Sequence, residues 1–120
     1  MINHQLELTA YSTFTSDGRS RTIAIDSPSQ GAEIFSSVLI KGTVAVAPFE
    51  NTLTYRIFDV GGVELSAGAI PVSAADPGVF AAMIPLGNIL SSAAIRIEIQ
   101  DVNAADGSLF AMDSVELVVK

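Results

Sequence analysis

The 120-residue sequence predicts an all-β domain, two antiparallel sheets stacked as a sandwich, and three observations carry that expectation. Ile, Val and Thr number 12, 11 and 7, a quarter of the chain, and these β-branched types fit a pleated surface best. Apolar and polar residues alternate with a period of two in several segments, the spacing that puts one set of side chains on a single face of a strand. Turn-forming clusters then divide the chain into short pieces, and no segment sustains the 3.6-residue period of a helix. With 49% apolar and 16% charged residues the chain has material for one core, and its length suits one domain.

The elements follow in order. In the opening arm Leu6, Leu8 and Phe14 share one parity against Gln5, Glu7, Thr9 and Tyr11, and a "SDGR" turn follows. Gln5 to Thr15 therefore reads as an extra N-terminal strand hairpinned to the first main strand. It serves as a sheet-edge addition, as the tail of a preceding domain, or as a strand exchanged with a second copy. Seven main strands come next, beginning with Arg21 to Asp26 and Val38 to Val46, the latter carrying Gly42 where a close backbone approach or a bulge is expected. Leu53, Tyr55 and Ile57 alternate with Thr52, Thr54 and Arg56, which places the Tyr55 ring inward, and Gly61-Gly62 supplies a tight turn into Val63 to Val72. Gly68 and Pro71 mark that arm as an edge strand or one broken by a bulge. Val79 to Leu86 follows, then Ala94 to Val102 with Ile95, Ile97 and Ile99 on the core face and Arg96, Glu98 and Gln100 facing water. Met112 to Lys120 closes the set with Val115, Leu117 and Val119 inward. Ser73 to Asp76 and Ala104 to Asp106 are alanine-rich but too short for a helix.

Ordered pieces of the chain carry a family resemblance. "IAIDSPSQGAEIFSSVLIKGTVAV", "LTYRIFDVGGVELSAG", "VFAAMIPL", "IRIEIQDVNAADGS" and "VELVV", spanning Ile23 to Val119, resemble Gmad2, the immunoglobulin-like domain of bacterial spore germination. The matching features are Ser27-Pro28 with Gly31, Val38 to Gly42, Tyr55-Arg56, Gly61-Gly62 with Leu65 and Gly68, Phe80, and Asp106-Gly107. The resemblance implies an immunoglobulin-like β-sandwich over residues 23–120, with residues 1–22 as an N-terminal arm outside it. It further implies an extracytoplasmic module of cell-envelope or spore-associated proteins, attached in many of them to domains such as GerMN, and it implies no catalytic residues.

Charge and composition exclude several function classes. Thirteen acidic against six basic residues give a net charge of −7, which disfavours nucleic acid and anionic lipid as partners. The excess lies wholly downstream of Ile25, because Glu7 and Asp17 balance Arg19 and Arg21 before it. No cysteine is present, which removes disulfides, thiolate nucleophiles and zinc-thiolate sites. The opening "MINHQLELTA" lacks an apolar signal region and no stretch reaches about 18 apolar residues, so direct membrane insertion is not expected and any signal or anchor lies outside this chain.

The search for chemistry yields no catalytic, cofactor or metal residue. His4 is the one histidine and sits in the arm, a poor base for a nucleophilic triad. Glu33, Glu50, Glu64, Glu98 and Glu116 read as solvated surface acids rather than a glycosidase pair. Asp101, Asn103 and Asp106 fall within six residues and raise the question of calcium, but they miss the EF-hand spacing, and Asp106-Gly107 equally forms a turn. No glycine-rich loop enters a helix, so no phosphate cradle is expected. Phe35, Phe49 and Phe110 sit on or beside loops, where they either fold over the sandwich ends or form an apolar contact patch. The expected function is a non-catalytic spacer or protein-interaction domain whose partner is another protein or a neighbouring domain, with strand exchange through residues 1–22 as a route to self-association. The alternative is a glycan- or peptidoglycan-binding module that uses Tyr11, Phe35, Phe49 or Phe110.

Overall fold

The computed structural model describes residues 10–73, 77–87, 89 and 93–120. Among them lie ten strands: β1 Ala10–Phe14, β2 Ser20–Arg21, β3 Ile23–Ser27, β4 Ala32–Ile34, β5 Ser37–Val44, β6 Thr52–Asp59, β7 Glu64–Pro71, β8 Gly78–Pro85, β9 Ala93–Val102 and β10 Leu109–Val119. A large sheet runs β2-β1-β10-β9-β6-β7, with β4 added to β10, and a small sheet runs β3-β5-β8. Six of the seven expected main strands form as single strands and the first as two, and the all-β immunoglobulin-like sandwich is the observed fold.

The alternating isoleucines do what their period requires. Ile95, Ile97 and Ile99 of β9, Leu53 and Ile57 of β6, and Val115, Leu117 and Val119 of β10 meet Val38, Ile40 and Val44 of β5 and Phe80 and Ile84 of β8 between the sheets. Each fully buried aliphatic side chain of this kind contributes roughly 1.5–3 kcal/mol. Two glycines make room for aromatic rings in this packing. A Cβ on Gly42 would collide with the Ala24 carbonyl oxygen and lie 2.5 Å from Phe80 Cζ. The β3–β5 register also shifts here, between Ile25 and Ser27, so close approach and bulge coincide. Gly68, cross-strand from Tyr55, would place a Cβ 2.5 Å from the tyrosine Cε2, because the half-buried ring lies over it. β7 is both an edge strand and a bulged one: Ile57 pairs with Ser66 and Phe58 with Glu64, leaving Leu65 as the extra residue.

Three features depart from the linear reading. The first main strand breaks at Thr22, where the chain passes from the large sheet (β2) to the small one (β3). β4 is only three residues long and pairs parallel to the second half of β10, a partnership no local period announces. β1 takes the first half of the same β10 edge, Ala10 to Ser12 against Asp113 to Ala111, and pairs with β2 through the "SDGR" turn. Between β1 and β4 the Gln30 side chain fills the gap, donating to the Ser114 carbonyl and accepting from the Glu116 amide. The remainder of the expected extra strand, residues 5–9, lies outside the described residues, as do Ala74 to Asp76. Ala104 to Asp106 form a turn.

Candidate functional site

Three places in the sandwich gather polar or accessible groups, and each is built by the strand registers. The first is the outer face of the large sheet. β9 lies between β6 and β10, so Glu98 stands cross-strand from Arg56 on one side and Ser114 on the other. A chain of side chains crosses this face. Arg56 Nη1 donates to Glu64 Oε1 at 2.8 Å and its Nε to Gln100 Oε1 at 3.2 Å, and Gln100 Nε2 donates to Glu98 Oε1 at 2.8 Å. Arg96 Nη2 then pairs with Glu98 Oε2 at 3.2 Å. Two arginines and two glutamates make the chain neutral.

This face corrects the sequence expectation for β9. Arg96, Glu98 and Gln100 do not face water: all three are buried, Glu98 to 0% exposure, beside buried Phe58, Met112 and Ser114. Alternation reports which side chains point at the sandwich core. It carries no information on whether the opposite face is covered. Burial pushes the Glu98 carboxyl above its ordinary range, an effect that outweighs the hydrogen bond from Gln100 and the charges of Arg96 and Arg56. A raised carboxylic acid is a general-acid signature when a substrate can reach it. Here Oε1 accepts from Gln100, Oε2 has the Arg96 charge beside it but no hydrogen bond, and no surface is exposed, so no substrate reaches the group. Glu33, Glu50, Glu64 and Glu116 are exposed as expected, with Glu33 paired to Lys120 at 2.8 Å.

The second place is the end of the sandwich where β9 turns into β10. Asp101 shares the inward parity of the isoleucines and is buried there, 3.7 Å from Arg21 Nη1. The β9–β10 register shifts between Leu109 and Ala111, and the displaced Phe110 ring carries the Arg21 guanidinium 4.2 Å above its centroid. Burial raises the Asp101 carboxyl despite the Arg21 charge. The calcium triad is therefore taken apart. Asn103 Oδ1 accepts from the Ala105 amide, and Asp106 Oδ1 accepts from the amide and hydroxyl of Ser108, so both act as turn acceptors on their own loop. Asp101 is held on the strand by Arg21. Among the described residues no group of three acidic or histidine side chains is placed to hold a metal.

The third place is a cleft of about 540 Å³ where the sheets part beyond β7 and β8, lined by Leu65, Pro85, Leu86, Ile89 and Ile95 with Asp59 and Ser66. Its one carboxylate is engaged: Asp59 Oδ1 accepts the amides of Gly61 and Val63 and so shapes the β6–β7 turn. The walls are apolar, and no acid–base pair faces across them.

Two of the aromatic residues singled out from the sequence, Phe35 and Phe49, lie beyond opposite ends of β5. Phe35 (68% exposed) precedes β5 and Phe49 (64% exposed) follows it, with eight strand residues between, about 25 Å along the sheet. Phe110 is half-buried beneath Arg21, and Tyr11 lies on β1 cross-strand from Met112. His4 lies outside the described residues. The Arg21–Asp101 pair and the bond from Arg56 to Gln100 were invisible in sequence, because their members are brought together across strands far apart in the chain.

Among the described residues no helix is long and apolar enough to cross a membrane. No curated protein matches the chain at a significant level. The profile of the immunoglobulin-like domain of bacterial spore germination, Gmad2, matches residues 22–108, from the residue at which the chain enters the small sheet to the loop before β10. A sandwich of this order, matched over most of its length, belongs to the Gmad2 family of immunoglobulin-like domains.

Proposed function

We propose that this domain is a non-catalytic module of a bacterial cell-envelope or spore-associated protein, working outside the cytoplasm as a spacer or protein-interaction unit beside another protein or a neighbouring domain. One observation supports it above the rest: the carboxyls whose protonation burial perturbs, Glu98 and Asp101, are both buried out of reach of solvent. Glu98, on the outer face of the large sheet, stands beside Gln100 and Arg96 with no exposed surface, and Asp101 is buried at the end of the sandwich beside Arg21, so neither carboxyl is open to a substrate. Membership of a spore-germination family supports the compartment and the process. The glycan reading needs aromatic side chains gathered into one platform, and the separation of Phe35 from Phe49 by the length of β5 gives it no support.

Fractionation of a bacterium that encodes the protein, paired with deletion of this domain alone, tests the proposal. The domain is expected in the envelope or spore-coat fraction, and its deletion is expected to impair assembly or germination while leaving enzymatic activities of the extract unchanged. Recovery in the cytosol, or a deletion without phenotype in envelope and spore assays, overturns it.

A further inference from the structure

The sheet edges differ in how they are protected. β2 is two residues long, β7 carries Gly68, Pro71, a bulge and Glu64, and on β3 the Ile25 amide is taken by Asp113 Oδ2. β8 has eight residues, Gly78 to Pro85, without a charge or a bulge, and it pairs with β5 alone. A strand edge of that kind is open to pairing with another chain. The Leu86 amide bonds to Ser36 O, in step with the pairs Ile84↔Val38 and Ala82↔Ile40, so the odd-numbered residues turn their backbone groups to the free edge. Val79 shows the same direction from the other end: its amide donates to Ser73 Oγ, and its carbonyl accepts from the Ser73 amide. Pro85 has no N–H. Ala81 and Met83 therefore remain, with both N–H and C=O directed outward and no partner among the described residues.

We infer that β8 is a self-pairing edge, on which two copies of this chain join their small sheets antiparallel about a two-fold axis at Ala82. Two residues spaced by two, each offering one donor and one acceptor, are self-complementary under that axis: Ala81 exchanges both bonds with Met83 of the second copy, and Met83 with its Ala81. The register has natural limits, since the next position on each side sets Val79, already bonded, against Pro85, which cannot donate. The side chains agree with it. On the outer face Met83 (61% exposed) stands beside Leu39, and the pairing would set Ala81 of the second copy on its other side, extending an apolar row across the seam. The one charged side chain on β5 and β8 is Lys41, cross-strand from Ala81. The two copies of Lys41 fall in different rows, three strand spacings or about 14 Å apart, beyond the Debye length at physiological salt. The −7 charge of the chain thus has little purchase at this seam, and the contact is small, so the dimer is weak and dependent on concentration.

Sedimentation equilibrium of the intact chain up to about 1 mM, with amide exchange followed residue by residue, tests this. A dimer is expected to accumulate with concentration while the Ala81 and Met83 amides become protected. Met83→Lys, on the exposed face, and Ala81→Pro, which removes an outward N–H not used by β5, should each weaken it by tenfold or more. A chain that stays monomeric, a dimer that leaves both amides unprotected or ignores both variants, or an edge that takes up an added extended peptide and never a second copy would overturn the inference. If Ala81→Pro fails to fold, Met83→Lys and the amide protection of the unsubstituted chain decide it.

Discussion

Gly68→Ala is expected to change sign with its cross-strand neighbour. A glycine inside a strand costs roughly 0.5–1 kcal/mol relative to alanine, so on backbone grounds alone the substitution should stabilise β7. The added methyl, however, would sit 2.5 Å from Tyr55 Cε2 and 2.8 Å from both Cζ and the hydroxyl oxygen, so the ring must leave the position it holds over the strand. Tyr55 is half-buried against the core cluster. Uncovering about 80 Å² of its apolar surface costs about 2 kcal/mol at 25 cal/mol per Å². The net effect in the unsubstituted chain is a loss of about 1–1.5 kcal/mol, or about 4–8 °C in melting temperature. In a Tyr55→Ala background the obstacle is gone, and the same Gly68→Ala change should stabilise by about 0.5–1 kcal/mol. Urea denaturation of the two single variants and the double variant closes the cycle, with a coupling of about 2 kcal/mol, well above the scatter for independent sites. Equal effects of Gly68→Ala in both backgrounds, or a gain in the presence of Tyr55, would refute the packing account.

Other outcomes follow from the buried charges and the loop. Because the folded protein holds the Glu98 and Asp101 carboxyls above their ordinary values of 4.5 and 3.8, it binds protons more readily than the unfolded chain. Their contribution is therefore fully present below those ordinary values and lost as pH rises through the raised ones; denaturation across pH 4 to 8 should show Glu98→Gln flattening this fall. The exposed Asp17 and Asp106, lowered by hydrogen bonds from Thr15 and Ser108 respectively, act in the opposite direction and weakly, being in water. Arg21→Leu should cost about 2–4 kcal/mol by leaving Asp101 buried without its counter-charge. Asp101→Asn should cost less, since it removes the charge that burial penalises, and a larger loss in Asp101→Asn than in Arg21→Leu would reject this assignment. Millimolar calcium should leave the melting temperature unchanged, as Asn103 and Asp106 already serve as turn acceptors; a rise that Asp106→Asn abolishes would show that the loop binds the ion.

The strand set was legible in the chain because its cause is local. A period of two in Leu53, Tyr55 and Ile57 or in Ile95, Ile97 and Ile99 makes one face apolar whatever lies opposite, and Asp59-Val60-Gly61-Gly62 turns the chain with its own side chain and glycines. The absence of cysteine and the solvated state of Glu33, Glu50, Glu64 and Glu116 were legible for the same reason. The burial of Arg96, Glu98 and Gln100 was not. Period two assigns residues to two faces, but water is excluded from the second face only by what packs there in three dimensions.

By itself, the sequence determined an all-β two-sheet sandwich, its main strands and its turns, since alternation and turn chemistry act between residues near one another. Only the tertiary structure decided that Arg21 stands beside Asp101, that Gln30 bonds the β10 edge in the gap between β1 and β4, and that Ala81 and Met83 keep open backbone groups at an uncharged edge. Those relations span strands distant in the chain. Register and sheet order bring them about, and a one-residue shift in register would undo them all while leaving the local pattern unchanged.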